Sequence, residues 1–250
     1  MTQIAIVAYP GFTALDMIGP YEVLRSLPDA EVRFVWHDVG PVTADSGVLV
    51  IGATHSLGET SSPDVILVPG GPSTPEHARD EKLLDWLRRA HATARWTTSV
   101  CTGSVILAAA GLLEGRRATS HWATVKALAA FGAIPVGDER VVHDGDIVTC
   151  AGVSAGIDLA LWLVGRTGGE GRARAIQLLI EYDPQPPFDS GHMSKASMTT
   201  KAAAAAMLSK DSVKPAQIKA STMLAWEQAL RAVRSRRNRL RDTGLVRRSH

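Results

Sequence analysis

The stretch TTSVCTGS, residues 97–104, decides the fold of this chain. It joins a β-rich run, Trp96 to Val100, to an Ala/Leu/Ile-rich segment, Thr102 to Leu113, that has the composition of a helix. A strand that turns at once into a helix through small residues is typical of a nucleophile elbow, which holds one side chain out of the top of the sheet. We therefore expect Cys101 to lie at the carboxyl end of a strand, where ligands bind in open α/β sheets.

Strand and helix patterns alternate on both sides of this turn. Short apolar runs predict further strands at Ile4 to Ala8, Val32 to Trp36, Val65 to Val68, Arg117 to Thr119, Arg140 to Val142 and Ile147 to Cys150. The last two are expected to form a hairpin around an Asp-Gly turn, and Val48 to Ile51 is expected to be a further strand or a hairpin arm. Apolar residues at helical spacing predict helices at Thr13 to Leu27 (interrupted at Gly19-Pro20), Leu83 to Leu87, His121 to Phe131, Ser154 to Val164 and Glu170 to Ile180. The alternation predicts an α/β fold with a mostly parallel sheet covered by helices on both faces.

The composition changes near Gly191, after the Pro-rich segment 182–191. Residues 192–250 contain 13 Lys/Arg against 3 Asp/Glu, whereas the preceding part contains 14 against 22. A chain of 250 residues with 45% hydrophobic residues suits one α/β domain with an appendage. We predict a domain over 1–191 and a basic extension over 192–250 that is helical or partly disordered, with an arginine cluster at 234–241.

Composition also limits the class of protein. Two cysteines are too few for a disulfide scaffold and form no C-x-x-C pair, which favours reduced thiols. No secretory signal pattern or membrane-length apolar run is found, so we expect a cytoplasmic protein without a membrane partner. The eight histidines form no H-x-x-x-H motif and no phosphate-binding glycine motif follows a strand, so we expect no metal and no cofactor.

The two thiols have different surroundings. A helix N-terminus lowers the pKa of a cysteine from about 8.5, so the elbow predicts a reactive, low-pKa Cys101. The alternative is that Cys101 is a small buried apolar residue, the common fate of a free cysteine. Cys150 ends a strand before Ala151-Gly152, and we expect it to be a core residue.

A nucleophile also needs a proton partner and a site for negative charge. Asp16 stands among apolar residues just after the first strand, where a carboxylate is costly unless it is paired. We hypothesise that Asp16 and Cys101 share one proton, because a thiolate and a carboxylate side by side repel each other. The alternative is a carboxylate at the start of a helix.

The other candidate partners have simple structural alternatives. Gly70-Gly71 would let backbone N–H groups approach an oxyanion, or would form a plain tight turn. His121 begins a predicted helix and is a candidate for substrate binding or a surface residue. Asp158 lies inside a predicted helix, and we expect it to be a solvent-facing or capping residue.

Four blocks of the sequence together resemble the DJ-1/PfpI (ThiJ/PfpI) superfamily. They are IAIVAYPGFTALDMIGPYEVL from Ile4, VPGG from Val68, SVCTGSVILAAAGLLEGRRATSHW from Ser99 and TCAGVSAGIDLAL from Thr149. The resemblance covers about Thr2 to Gly191. It implies a flavodoxin-like sandwich, a homodimer and a reactive cysteine at the elbow.

Three positions indicate a branch of this superfamily. Protease-like members have a histidine where this chain has Thr102, and members acting on glyoxal-type substrates usually have a glutamate where it has Asp16. Asp16, Cys101 and Thr102, with EYDPQPPFDSG at the domain end, resemble the isonitrile hydratases, in which the matching residues are the catalytic set. The resemblance implies hydration of a small isonitrile to an N-substituted formamide.

Other functions remain open at this point. One alternative is a glyoxalase- or deglycase-like enzyme, and another is a non-catalytic stress, interaction or regulatory member of the superfamily. A further branch carries an AraC-type DNA-binding domain with two helix-turn-helix units. Residues 192–250 are too few for such a domain, so we do not expect specific nucleic-acid binding.

Overall fold

The architecture is a seven-stranded sheet surrounded by helices. The computed structural model describes residues 1–212 and 217–229. The strands are β1 (Thr2–Val7), β2 (Ala30–Trp36), β3 (Gly40–Thr43), β4 (Val50–Ala53), β5 (His55–Ser56), β6 (Val65–Val68), β7 (Trp96–Val100), β8 (Arg117–Ala118), β9 (Ile134–Pro135), β10 (Val141–Asp144) and β11 (Ile147–Cys150). The helices are α1 (Ala14–Leu24), α2 (Thr74–His77), α3 (Glu81–His91), α4 (Gly103–Ala109), α5 (Ala155–Gly168), α6 (Glu170–Leu179), α7 (Met198–Ser212) and α8 (217–229), with a 3₁₀ helix over Val125–Phe131.

The main sheet has the strand order β10-β11-β7-β6-β1-β2-β5. Every neighbouring pair is parallel except β10 and β11, which form the predicted antiparallel hairpin. Strands β6 and β11 are buried along their whole length, as expected for strands covered on both faces. Helix α5 packs on α1 and α6, while α4 packs on α2 and α3. The predicted α/β fold with a mostly parallel sheet is confirmed.

One local prediction differs from the structure. The segment His121 to Phe131 is not one helix, because His121 lies in a turn and only Val125–Phe131 is helical, in the 3₁₀ form that is common in short segments. The run near Val48 forms β4, which pairs antiparallel with β3 as the expected hairpin arm, outside the main sheet. Helix α1 continues through Pro20 as one element, so of the two expected effects of Gly19-Pro20, a kink or a restart, the restart does not occur.

Part of the basic extension packs on the body of the protein. Helix α8 has a buried stripe formed by Gln217, Ala220, Leu224 and Gln228. Leu224 belongs to the same core cluster as the sheet, and Glu227 accepts three hydrogen bonds from Arg79, at 2.9, 3.1 and 3.3 Å. The cluster at 234–241 lies outside the described residues, and the domain boundary at 191 stays a prediction. No helix in 1–212 or 217–229 is long and apolar enough to cross a membrane.

The elbow requires a glycine two residues after Cys101. A side chain at Gly103 would overlap the carbonyl oxygen of Val68 and lie 2.8 Å from that of Pro69, both in backbone that the sheet holds in place. We expect Gly103→Ala to lower the free energy of unfolding by about 2–4 kcal/mol in denaturant titrations. Gly52→Ala is the matched control, because a methyl group there meets open space and should change stability by less than about 1 kcal/mol. Equal effects would contradict the proposed overlap.

The docking of α8 is tested by two neighbouring residues. The exposed fraction is 9% for Leu224 and 39% for Met223. We expect Leu224→Ala to lower the free energy of unfolding by about 2 kcal/mol through a lost buried contact. Met223→Ala should change it by less than about 0.5 kcal/mol. If neither variant shifts the transition, α8 does not contribute to the folded core.

Candidate active site

Cys101 occupies a strained turn between β7 and α4. Its φ is +58°, a left-handed conformation that costs a non-glycine residue about 1–3 kcal/mol. Three hydrogen bonds hold it there: its N–H donates to Cys150 O at 3.2 Å, and its carbonyl accepts from Ser104 Oγ at 3.2 Å and Ser120 Oγ at 3.0 Å. The surrounding structure therefore imposes the turn, as the nucleophile-elbow pattern predicts.

Asp16 is fully buried in the first turn of α1. Its Oδ2 accepts a hydrogen bond from the N–H of Gly70 at 2.9 Å. The carbonyl oxygen of Gly70 in turn accepts a hydrogen bond from the N–H of Thr13 at 2.8 Å, which fixes the start of α1 against the end of β6. Asp16 Oδ1 is buried and has no hydrogen-bond partner among the described residues. The neighbouring thiol of Cys101 interacts with this carboxyl group.

The two groups perturb each other's ionisation. Burial raises the pKa of Asp16 to about 7, although the Gly70 N–H and the thiol partly oppose this shift. Burial, reinforced by the charge of Asp16, raises the pKa of Cys101 well above its usual value. The predicted low pKa of Cys101 is therefore wrong for the protein without substrate, because burial outweighs the opposing N–H of Thr102. The two groups do not both ionise near neutral pH, as the shared-proton hypothesis requires.

Thr102 faces the glycine loop instead of Asp16. Its hydroxyl accepts from Gly71 N–H at 2.9 Å and lies 2.7 Å from Thr74 Oγ1. Thr74 Oγ1 in turn lies 3.3 Å from the hydroxyl of Tyr9, which donates to Pro69 O at 2.9 Å. Sequence reasoning missed Tyr9 and Thr74. Their only signal in the sequence is their position, since Tyr9 follows β1 and Thr74 follows β6.

The glycine loop does not provide the free oxyanion site that we expect from sequence. The Gly70 N–H is bonded to Asp16 and the Gly71 N–H to Thr102. Both donors are therefore occupied inside the protein. A side chain at Gly70 would lie 2.9 Å from Asp16 Oδ2 and close to Thr102, so this position must be a glycine for the carboxyl group to reach its donor.

His121 lies near the thiol, and the missing side chain of Gly152 allows both groups to pack there. A Cβ atom built on Gly152 would be 2.6 Å from His121 Cδ2 and 2.8 Å from Cys101 Sγ. His121 is half-buried, and this burial lowers its pKa. Gly152 was also missed by sequence reasoning, because its small size matters only once β11 is placed next to β7.

The remaining candidates lie outside this group. Cys150 is fully buried, as predicted for a core residue. Asp158 lies within α5 and is partly exposed to solvent, as predicted. It also accepts hydrogen bonds from Arg140 Nε at 2.8 Å and from the hydroxyl of Tyr182 at 3.1 Å. Within residues 1–212 and 217–229, no three His, Cys, Asp or Glu side chains cluster as metal ligands would. The predicted homodimer is not tested by a single chain and stays a prediction.

Comparisons with known proteins agree with this geometry. The DJ-1/PfpI family matches residues 2–166. The chain is 49% identical over 189 residues to an isonitrile hydratase of Pseudomonas putida, which covers 76% of this chain and 82% of that protein. It is 34% identical to the HTH-type transcriptional regulator CdhR of Pseudomonas aeruginosa, covering 64% of this chain but only 49% of the regulator.

A solved structure extends the likeness beyond the sheet. A THiJ/PfpI family protein from Pseudomonas syringae superimposes with a TM-score of 0.82 and 40% identity over 90% of both chains. This coverage exceeds residues 1–191, so the solved protein has a counterpart for part of the C-terminal extension. The family match over most of the sequence, the P. putida relative and this structure together show that the chain belongs to the DJ-1/PfpI family.

Proposed function

We propose that the protein is an isonitrile hydratase that converts an isonitrile to an N-substituted formamide through a covalent bond to Cys101. The observation that carries the proposal is the buried carboxyl group of Asp16, which keeps one oxygen without a hydrogen-bond partner beside the thiol. The choice of substrate is supported by the identity of 49% with the isonitrile hydratase of P. putida.

The substrate explains why an acid and a nucleophile stand side by side. In an isonitrile, R–N≡C, the terminal carbon accepts the nucleophile and must also gain a hydrogen. In the first step, the Cys101 sulfur bonds to this carbon while protonated Asp16 delivers its proton to the same carbon. The product is a thioimidate, R–N=CH–S–Cys101, and Asp16 is left as a carboxylate. General acid–base help of this kind contributes about 10²–10⁴-fold to a rate.

The raised pKa values suit this step. Above pH 7 the pair holds one proton, and moving it from the thiol to Asp16 produces the reactive thiolate and the acid together. Asp16 is able to take the proton because burial brings its pKa to about 7. The pair therefore reaches its reactive form when the proton moves from Cys101 to Asp16, and the free protein needs no permanent thiolate.

The second step uses the carboxylate that the first step leaves. Asp16 takes a proton from a water molecule whose oxygen bonds to the thioimidate carbon. The electron pair of the C=N bond moves to nitrogen, which then receives the proton held by Asp16. As the C–S bond breaks, Asp16 takes the hydroxyl proton of the adduct and the formamide R–NH–CHO leaves. Cys101 returns as the thiolate, so the pair again holds one proton. Thr102 supports both steps by holding the glycine loop, and with it the donor of Asp16, in place.

Activity assays on single variants test these roles. With cyclohexyl isocyanide as substrate, we expect Cys101→Ala to abolish formamide production and Asp16→Asn to lower kcat by about 10²–10⁴-fold. Cys150→Ala is the matched control, because Cys150 is the other buried cysteine and has no role in the chemistry. Turnover of methylglyoxal without turnover of the isonitrile would overturn the proposal in favour of a glyoxalase-like activity. Near-wild-type turnover of Asp16→Asn would contradict the acid–base role alone.

The pH dependence of the reaction follows from the pair. Below pH 7, Asp16 and Cys101 both hold protons and the reactive one-proton form is scarce. We expect kcat/KM to rise with pH by about tenfold per unit up to an apparent pKa of about 7. It should then stay level until the thiol, whose pKa is raised, loses the second proton. A profile that falls through pH 7 would contradict this assignment, and Asp16→Asn should lose the inflection.

A further inference from the structure

His121 is tied to the elbow but has no assigned role in the chemistry. Ser120, the preceding residue, donates from Oγ to the carbonyl of Cys101 at 3.0 Å, so the position of His121 depends on the position of the nucleophile. Its ring and Cys101 Sγ both pack close to Gly152, because a Cβ atom built there would lie 2.6 Å from His121 Cδ2 and 2.8 Å from Sγ. A group bonded to Sγ therefore lies near the ring of His121.

The hydrogen bonding of the ring determines which nitrogen carries the proton. The N–H of Ala123 donates to His121 Nδ1 at 3.4 Å, which leaves the ring proton on Nε2. Nε2 is bonded to Cδ2, the ring atom that packs beside Gly152 as Cys101 Sγ does. Partial burial keeps the ring neutral by lowering the pKa of His121. The ring of Trp122, with centroids 5.2 Å apart, packs against it and limits its rotation.

We propose that neutral His121 donates a hydrogen bond from Nε2 to the nitrogen of the thioimidate on Cys101 and so accelerates its hydrolysis. This inference rests on the proposed isonitrile hydratase activity. When water adds to the thioimidate carbon, the electron pair of the C=N bond moves to nitrogen, and a donor already in place there stabilises the transition state. His121 keeps its proton throughout, because the proton that ends on nitrogen is the one that Asp16 takes from water.

The occupied glycine loop leaves a role for such a donor. The N–H groups of Gly70 and Gly71 are bonded to Asp16 and Thr102, so neither is free to meet the charge that develops on the substrate. The ring of His121 packs beside Gly152 close to the sulfur. The carboxyl group of Asp16 would therefore serve carbon and water, while His121 would serve nitrogen. Two different side chains would therefore act on adjacent atoms of the same thioimidate.

Two substitutions separate hydrogen bonding from packing. His121→Gln keeps an N–H donor near the position of Nε2, whereas His121→Leu fills similar space without a donor. With cyclohexyl isocyanide, we expect His121→Leu to lower kcat by about 100-fold and His121→Gln to stay within about tenfold of wild type. Because only the second step is slowed, mass spectrometry of His121→Leu during turnover should show Cys101 carrying the mass of one isonitrile. His55→Leu, in β5 at the far edge of the sheet, is the matched control and should behave as wild type.

Each outcome bears on the proposal. Wild-type kcat in His121→Leu, equal losses in His121→Gln and His121→Leu, or a loss without the Cys101 adduct would overturn the role of His121 and leave the proposed activity standing. A wild-type protein that does not hydrate the isonitrile overturns the proposed activity and this inference with it. Thermal unfolding of both variants controls for folding, and the Gln variant decides the question if the Leu variant is unstable.

Discussion

The hydrogen bond from the N–H of Gly70 to Asp16 is the interaction on which the site depends. A carboxyl group with 0% exposure loses its hydration, and a single backbone donor replaces it. That donor comes from the loop after β6, while Asp16 comes from the helix after β1 and the thiol from the turn after β7. Because these three strands are neighbours and run in parallel, their carboxyl ends meet at one edge of the sheet. The topology thus brings Asp16 to Gly70, 54 residues away in sequence, and Gly71 to Thr102, 31 residues away.

Burying Asp16 lowers the stability of the fold. How the free energy of unfolding then changes with pH follows from the difference in bound protons between the folded and unfolded states. The folded protein holds the pKa of Asp16 at about 7, above the value in an unfolded chain, so the folded state binds more protons between about pH 4 and 7. The free energy of unfolding therefore decreases as pH rises through this range and levels off above it. The left-handed conformation of Cys101 adds a second cost. The fully buried strands around the site supply the stability that lets both persist.

The sequence predicts those features that depend on local pattern. Continuous apolar runs indicate the parallel strands, and a strand that meets a helix through Cys101-Thr102-Gly103 indicates the elbow. The direction in which the pKa of Cys101 shifts could not be predicted in this way, because it depends on how deeply the folded chain buries the thiol. The N–H groups of the glycine loop are a second case, because their availability depends on Asp16 and Thr102. Gly152 is a third, because a side chain there would overlap Cys101 and His121, which only the fold brings next to it.

The C-terminal extension shows that net charge is a poor guide to docking. The acidic body and the basic extension predict attraction, yet the ion pair that joins α8 to the body runs the other way, from Arg79 of the body to Glu227 of the extension. A partly exposed ion pair of this kind contributes at most about 1 kcal/mol to the free energy of unfolding. The buried stripe of α8, with spacings of three and four residues and Leu224 in the core, is therefore the larger contribution. Because Arg79 follows α2, and α2 begins with the Thr74 that meets Thr102, the extension rests on an element that borders the elbow.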